Sequence, residues 1–148
     1  NYAEASAEFY KEEGKLIVPI STRLLHVGSL MGQVGSNSMT AGVMSQIGRM
    51  IGKKEFDQTT VTAFPGSSGG GVYLEDGRYV GMLVRGAGEG FNLIVPIRRM
   101  RQWAGDAGIG WALDKDAAPP TIKAIEAMEI EDIGVTFRDK PKDDKKKP

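Results

Sequence analysis

The sequence predicts a mainly β protein, one compact antiparallel domain of six strands set between a short N-terminal helix and a short closing helix, with an extension behind it. Three observations carry this expectation. From residue 15 to about residue 103, short apolar, β-branched or Met-containing runs alternate with glycine-bearing turns. Residues 74–78, with Asp76-Gly77 at the tip, form the clearest hairpin signal in the chain. Finally, 148 residues with 41% hydrophobic and 26% charged side chains supply one real core, which fits a single domain or a compact core with an extension.

In chain order, residues 2–13 read as a helix, because Ala3, Ala5, Ala7, Glu8, Lys11 and Glu12 are good formers and Phe9 with Tyr10 offers a modest apolar face. Gly14 stops it, which makes residues 1–14 a helical arm. Six candidate strands follow at 16–20, 24–27, 40–45, 58–63, the hairpin 71–73 continuing as 79–84, and 91–96. Residues 97–104 close the domain as a helix with Met100 and Trp103 at helical spacing and Gly105 at its end, so the β domain spans 15–105. The extension, 106–148, is broken by Pro119-Pro120; Thr121 caps a short helix through Met128, and residues 130–137 suit a strand. Its last eleven residues hold six basic and three acidic side chains with two prolines, the composition of a solvated, disordered tail.

Composition excludes several function classes. Nineteen Lys and Arg balance nineteen Asp and Glu, so the net charge is zero and no long-range field draws the chain to nucleic acid or anionic lipid. The Lys145-Lys146-Lys147 run has no aromatic platform interleaved with it, so no nucleic-acid partner is expected. With no cysteine and one histidine, disulfides, thiolate metal sites, a cysteine nucleophile and a multi-histidine metal centre drop out; no metal or cofactor is expected. No apolar run approaches the roughly 18 residues of a membrane span and no secretory signal is visible, so the expected protein is soluble with no membrane partner. Absence of cysteine suits a cytosol, a periplasm or a viral particle equally.

The informative stretch is Thr62-Ala63-Phe64-Pro65-Gly66-Ser67-Ser68-Gly69-Gly70-Gly71-Val72. A serine bracketed by glycines can sit in a sharp turn where backbone N–H groups converge, a nest able to hold an oxyanion. Gly66-x-Ser68-Gly69-Gly70, then Val72, a tight turn and Val80-Gly81-Met82-Leu83-Val84, resembles the nucleophile segment of trypsin-like serine peptidases, including the bacterial HtrA-type branch. Upstream, Val27-Gly28-Ser29-Leu30-Met31-Gly32 is similar to that family's Gly-Asn-Pro-x-Gly turn, and Thr40-Ala41-Gly42-Val43-Met44-Ser45 to its Thr-x-Gly-Ile-Ile-Ser strand. Residues 91–96 resemble the strand before the family's terminal helix. The resemblance covers about residues 16–105, and implies a six-stranded barrel, the second of the family's two.

Carried over residue by residue, the resemblance implies that Ser68 is the nucleophile of an acyl transfer and that the N–H groups of Gly66 and Ser68 are the oxyanion donors. Thr62, six residues before Ser68, falls at the base of the family's primary specificity pocket, where a small neutral side chain does not select lysine or arginine as an acidic one does. Val84, Arg85 and Gly86 fall where a substrate backbone pairs as an added strand. Arg85 either rims that cleft or is a solvated cation at a strand end. The implied partner is a polypeptide substrate.

A serine hydroxyl is a poor nucleophile without a base, and the family supplies histidine and aspartate from its first barrel. His26, the one histidine, lies in Leu24-Leu25-His26-Val27-Gly28, within a second-barrel strand and without the family's Thr-Ala-Ala-His context. It reads as a partly buried strand histidine satisfied by a backbone group. Neither Glu55 nor Asp57 has the spacing of a third member. Losing the base of such a triad costs on the order of 10⁶-fold in kcat, so these residues alone are expected to be nearly inactive. Three origins stay open: a first barrel on a segment upstream of Asn1, an internal stretch missing from the sequence, or a retired peptidase kept as a structural or assembly module, for example in a virion, that binds copies of itself or other chains.

Overall fold

The computed structural model describes residues 7–30, 35–86 and 90–128. Six strands follow one another as β1 (Arg23–Leu30), β2 (Gly35–Ile51), β3 (Lys54–Thr59), β4 (Gly71–Tyr73), β5 (Tyr79–Gly86) and β6 (Asn92–Pro96). They close into a barrel in the order β1-β2-β3-β6-β5-β4 with every pairing antiparallel, the mainly β six-stranded barrel expected. Strand alternation fills it: along β1, Leu24 and His26 are buried while Arg23 and Val27 are exposed. The core gathers Leu24, Met44, Val61, Val72, Val80, Leu83 and Ile94, with Tyr10 and Val18.

The membership of the six differs from the expectation. Residues 16–20 form no strand; Val18 is buried, and the chain is held to β2 just beyond, where Ser21 N donates to Met44 O and Met44 N to Thr22 O. The hairpin supplies two strands, β4 and β5. β3 begins upstream of the expected 58–63, and residues 60–63 leave the ladder. The cause is a backbone crossing over Gly42, where a Cβ would meet the Thr60 carbonyl carbon at 2.6 Å and Val61 Cα at 2.7 Å. Only a glycine in β2 lets the chain pass there.

No helix forms at residues 7–13, which corrects the expected N-terminal helix over its described part; residues 2–6 lie outside the described residues. Tyr10 N donates to Tyr79 O at 2.8 Å, Tyr79 N donates to Glu8 O at 2.7 Å, and the Phe9 ring packs edge-on against Tyr79. Burying Tyr10 against the barrel outweighs the helix propensity of the neighbouring alanines.

After β6 come α1 (Ile97–Asp106), a 3-10 turn (Gly110–Leu113) that packs on α1, and α2 (Ile122–Glu126). Helix α1 buries Ile97 and Ala104, while Trp103 is 61% exposed. Thr121 caps α2 as expected, its Oγ1 accepting from Ala124 N at 3.3 Å. The described residues up to Ala118 form one compact unit and those from Pro119 another. The expected strand at 130–137 and the charged tail lie outside the described residues.

Candidate active site

Residues 64–70 make two back-to-back turns that share Ser67. Ser67 N donates to Phe64 O at 2.9 Å and Gly70 N donates to Ser67 O at 3.0 Å. The third residue of each turn is a glycine in the left-handed region, Gly66 at φ 95° and Gly69 at φ 90°, the conformation that type II turns require there. Ser67 is buried, and its Oγ accepts from Phe64 N at 3.0 Å. The double turn is fastened to β5 by Gly69 N donating to Leu83 O at 2.7 Å and Leu83 N to Gly70 O at 2.9 Å.

This construction leaves Ser68 exposed at the junction, its Oγ turned toward Val84 O at 3.4 Å, too long for a strong O–H···O bond. Among the described residues, the N–H groups of Gly66 and Ser68 have no backbone acceptor, unlike those of Ser67, Gly69 and Gly70. Val84 is the extra residue where the β5–β6 register slips between Leu83 and Arg85. Arg85 and Gly86 pair with Leu93 and Asn92 of β6. On the other side of β5, β4 has already ended, so residues 84–86 face no strand there among the described residues.

Beside Ser68 opens a cavity of about 840 Å³ whose lining includes Thr60, Thr62, Phe64, Ser68, Leu83 and Asn92, with no charged side chain among the described residues. Thr62 is exposed on its wall, and its carbonyl accepts from Thr40 Oγ1 at 3.0 Å. Thr60 and Asn92 were not singled out by the sequence. Asn92 Nδ2 donates to Val61 O at 2.6 Å, so it pins the segment that crosses Gly42. Its position follows from β6 pairing with β3, which no local motif announces.

No hydrogen bond joins His26 to Ser68 among the described residues, and its ring is fully buried on the inward face of β1. Among the described residues its Nε2 makes no hydrogen bond of good geometry, the expected backbone contact being confined to the pull of the Ser67 backbone on the ring, and Nδ1 lies 3.5 Å from Thr40 Oγ1. Burial depresses its pKa below the ordinary 6.5, against a smaller opposing pull from the Ser67 backbone. Glu55 and Asp57 bind Arg98. Among the described residues no cluster of three or more His, Cys, Asp or Glu could hold a metal, and no helix is long and apolar enough to cross a membrane.

No family model and no curated protein matches the sequence. Solved structures do match in fold. The HtrA-type protease AlgW with a decapeptide superposes at a TM-score of 0.59 with 19% identity over 71% of this chain and 34% of its own. A serine-to-alanine variant of AlgW with a decapeptide gives 0.58 and 21% identity over 70% of this chain and 33% of its own. The inactive serine-to-alanine mutant of Rv3671c from M. tuberculosis H37Rv gives 0.55 and 13% over 69% of this chain and 53% of its own. This chain therefore spans from a third to about half of those proteins, and its fold is that of a trypsin-like peptidase barrel, in keeping with the C-terminal one.

Proposed function

We propose that this barrel is the nucleophile-bearing half of a trypsin-like serine endopeptidase, whose histidine and aspartate come from a segment beyond these 148 residues. One observation carries the reading: Ser68 is presented at the junction of two glycine turns, between two amides without backbone acceptors, at the mouth of a large neutral cavity. In this reading, Ser68 Oγ attacks a peptide carbonyl as the missing base takes its proton. The negative charge that develops on the carbonyl oxygen is met by Gly66 N–H and Ser68 N–H. Collapse expels the amine, and water then releases the acid. Removing one such donor costs about 10²- to 10³-fold in rate.

The substrate would lie as a strand along residues 84–86, with one side chain in the cavity. Thr62 on the wall and Asn92 beside it favour an uncharged residue there. That two of the structures similar in fold hold decapeptides supports a polypeptide ligand. The test is reaction of the intact assembly with a fluorophosphonate probe followed by peptide mapping. Label at Ser68 is expected; its absence under conditions that label a control peptidase removes the enzyme reading.

A second reading, an inactive barrel kept for assembly, is favoured by the outward face of the β1–β2 pair. There Val27 pairs with Met39, and these two and Val43 are 40%, 65% and 36% exposed. Size-exclusion chromatography with light scattering tests it: a monomer at all concentrations removes self-assembly.

A further inference from the structure

The one histidine lies directly under the double turn, and Gly70 of that turn and Gly28 of β1 make room for it. A Cβ on Gly28 would meet the ring Cε1 and Nε2 at 2.9 Å, and one on Gly70 would strike Nε2 while lying 2.8 Å from Val27 O and 3.0 Å from Ser67 O. The imidazole is thus wedged between β1, β2 and the turn, with Val72 opposite it on β4. Nε2, Val27 O and Ser67 O converge on the inner face of Gly70, and Ser67 O is the carbonyl that closes the second turn by accepting from Gly70 N.

We propose that His26 is a positioning residue for Ser68: its neutral imidazole is the support on which the 67–70 turn rests, and adding a proton to the ring releases that turn. The tautomer follows from Thr40. Its hydroxyl donates to Thr62 O at 3.0 Å, so toward Nδ1 it offers only a lone pair. In the tautomer this favours, Nδ1 carries the hydrogen and Nε2 holds a lone pair that no donor meets among the described residues. Protonation makes Nε2 a cationic donor toward Ser67 O, an attraction smaller than the cost of charging the enclosed ring. It also places a positive charge in a fully buried site.

Among the described residues no carboxylate offsets that charge. From β2 the ring meets the Thr40 hydroxyl, from β4 Val72, from β1 Gly28, and from the turn Gly70 and the Ser67 backbone. Among the described residues, burial and the Ser67 backbone are the influences on its titration, and burial is the larger. Gly70 is two residues from Ser68, whose amide is one of the two proposed oxyanion donors, and four from Gly66, whose turn shares Ser67 with the moving one, so the same proton that loosens the turn shifts the donors of the proposed oxyanion site.

The inference rests on the peptidase reading for its consequence but not for its test. Because the chain has a single histidine, its imidazole Cε1–H signal is unambiguous. The full chain is titrated by NMR from about pH 8 to about pH 4.5, following that signal with the amides of Gly66, Ser68, Gly69 and Gly70 and those of β3 and β6 as reference. The expected result is an imidazole midpoint below 6.5 shared by the turn amides while the reference strands stay still. H26Q is expected to abolish the turn response; if H26Q does not fold, the wild-type titration decides alone. Turn amides that ignore the imidazole, or that move only as the whole barrel unfolds, overturn the positioning role. Fluorophosphonate labelling of Ser68 with a static turn would overturn this inference and leave the peptidase reading; a moving turn without labelling does the reverse.

Discussion

At Gly70 a side chain has nowhere to go. The ring beneath it is locked in the barrel and two of the three closest atoms are main-chain carbonyl oxygens, so Gly70→Ala cannot be relieved by a rotamer change. We expect it to cost about 3 kcal/mol, toward the upper end for overpacking, read as a lower urea midpoint with unchanged m. Gly105→Ala is the control. Gly105 lies in α1 with nothing within 4 Å of its missing Cβ, and alanine there should stabilise by about 0.5–1 kcal/mol. Equal effects at the two positions would mean that the turn is not seated on His26. The difference between these glycines marks what was legible. The glycines around Ser68 announce a sharp turn because turn chemistry is local. The crowding at Gly70 comes from a residue far upstream, brought under it by β1 pairing with β4.

Helix α1 is tied to the barrel by two arginines, Arg98 and Arg99, the latter donating from Nη1 to Glu55 O at 3.2 Å. Glu55 and Asp57 lie two apart on one side of β3, and Arg98 grips both: Nη1 and Nη2 donate to the two Asp57 oxygens at 2.7 and 2.6 Å, and Nη2 also donates to Glu55 Oε1 at 2.7 Å. The Asp57 hydrogen bond is the chief cause that holds the guanidinium well above its ordinary pKa, so it stays charged throughout. The Asp57 side chain is 3% exposed, and its Oδ1 also accepts from Gly48 N at 2.9 Å. Arg98→Met strands that carboxylate, and we expect a loss of about 3–5 kcal/mol; R98M/D57N should lose markedly less than the sum, which a double-mutant cycle in urea would show. Additive losses would mean that the pair is solvated in solution. The spacing of Met100 and Trp103 marks a helix from residue 97, but nothing local marks Arg98 as an anchor or says which side of the helix packs. Amphipathic spacing marks an apolar stripe, whereas the choice between Trp103 and Ala104 as the packed side depends on what the strands below offer. The N-terminal segment differs for the same reason: local alanines favour a helix, but Tyr79 offers its N–H to Glu8 O and its carbonyl to Tyr10 N, an edge that only an extended chain can use.

For the whole molecule, barrel closure was within reach of the sequence because the glycine motif, the Asp76-Gly77 hairpin and the order of strands agreed, while register and the crossing at Gly42 depend on contacts between distant segments. One consequence of closure is global. It seals the only histidine inside, where burial holds its pKa below the ordinary 6.5. The unfolded chain titrates at the ordinary value, so once the pH drops below it the unfolded state binds more protons than the folded one and stability falls; above it the contribution is complete. One proton limits the slope to about 1.4 kcal/mol per pH unit. The urea midpoint should therefore hold steady from about pH 8 to about pH 7 and decline on passing below about 6.5, above the range in which carboxylates titrate. In H26Q the decline should start only at the carboxylates. Parallel wild-type and H26Q curves through that window would mean that the folded ring takes up its proton as freely as the unfolded one, which a fully enclosed imidazole without a charged partner does not do.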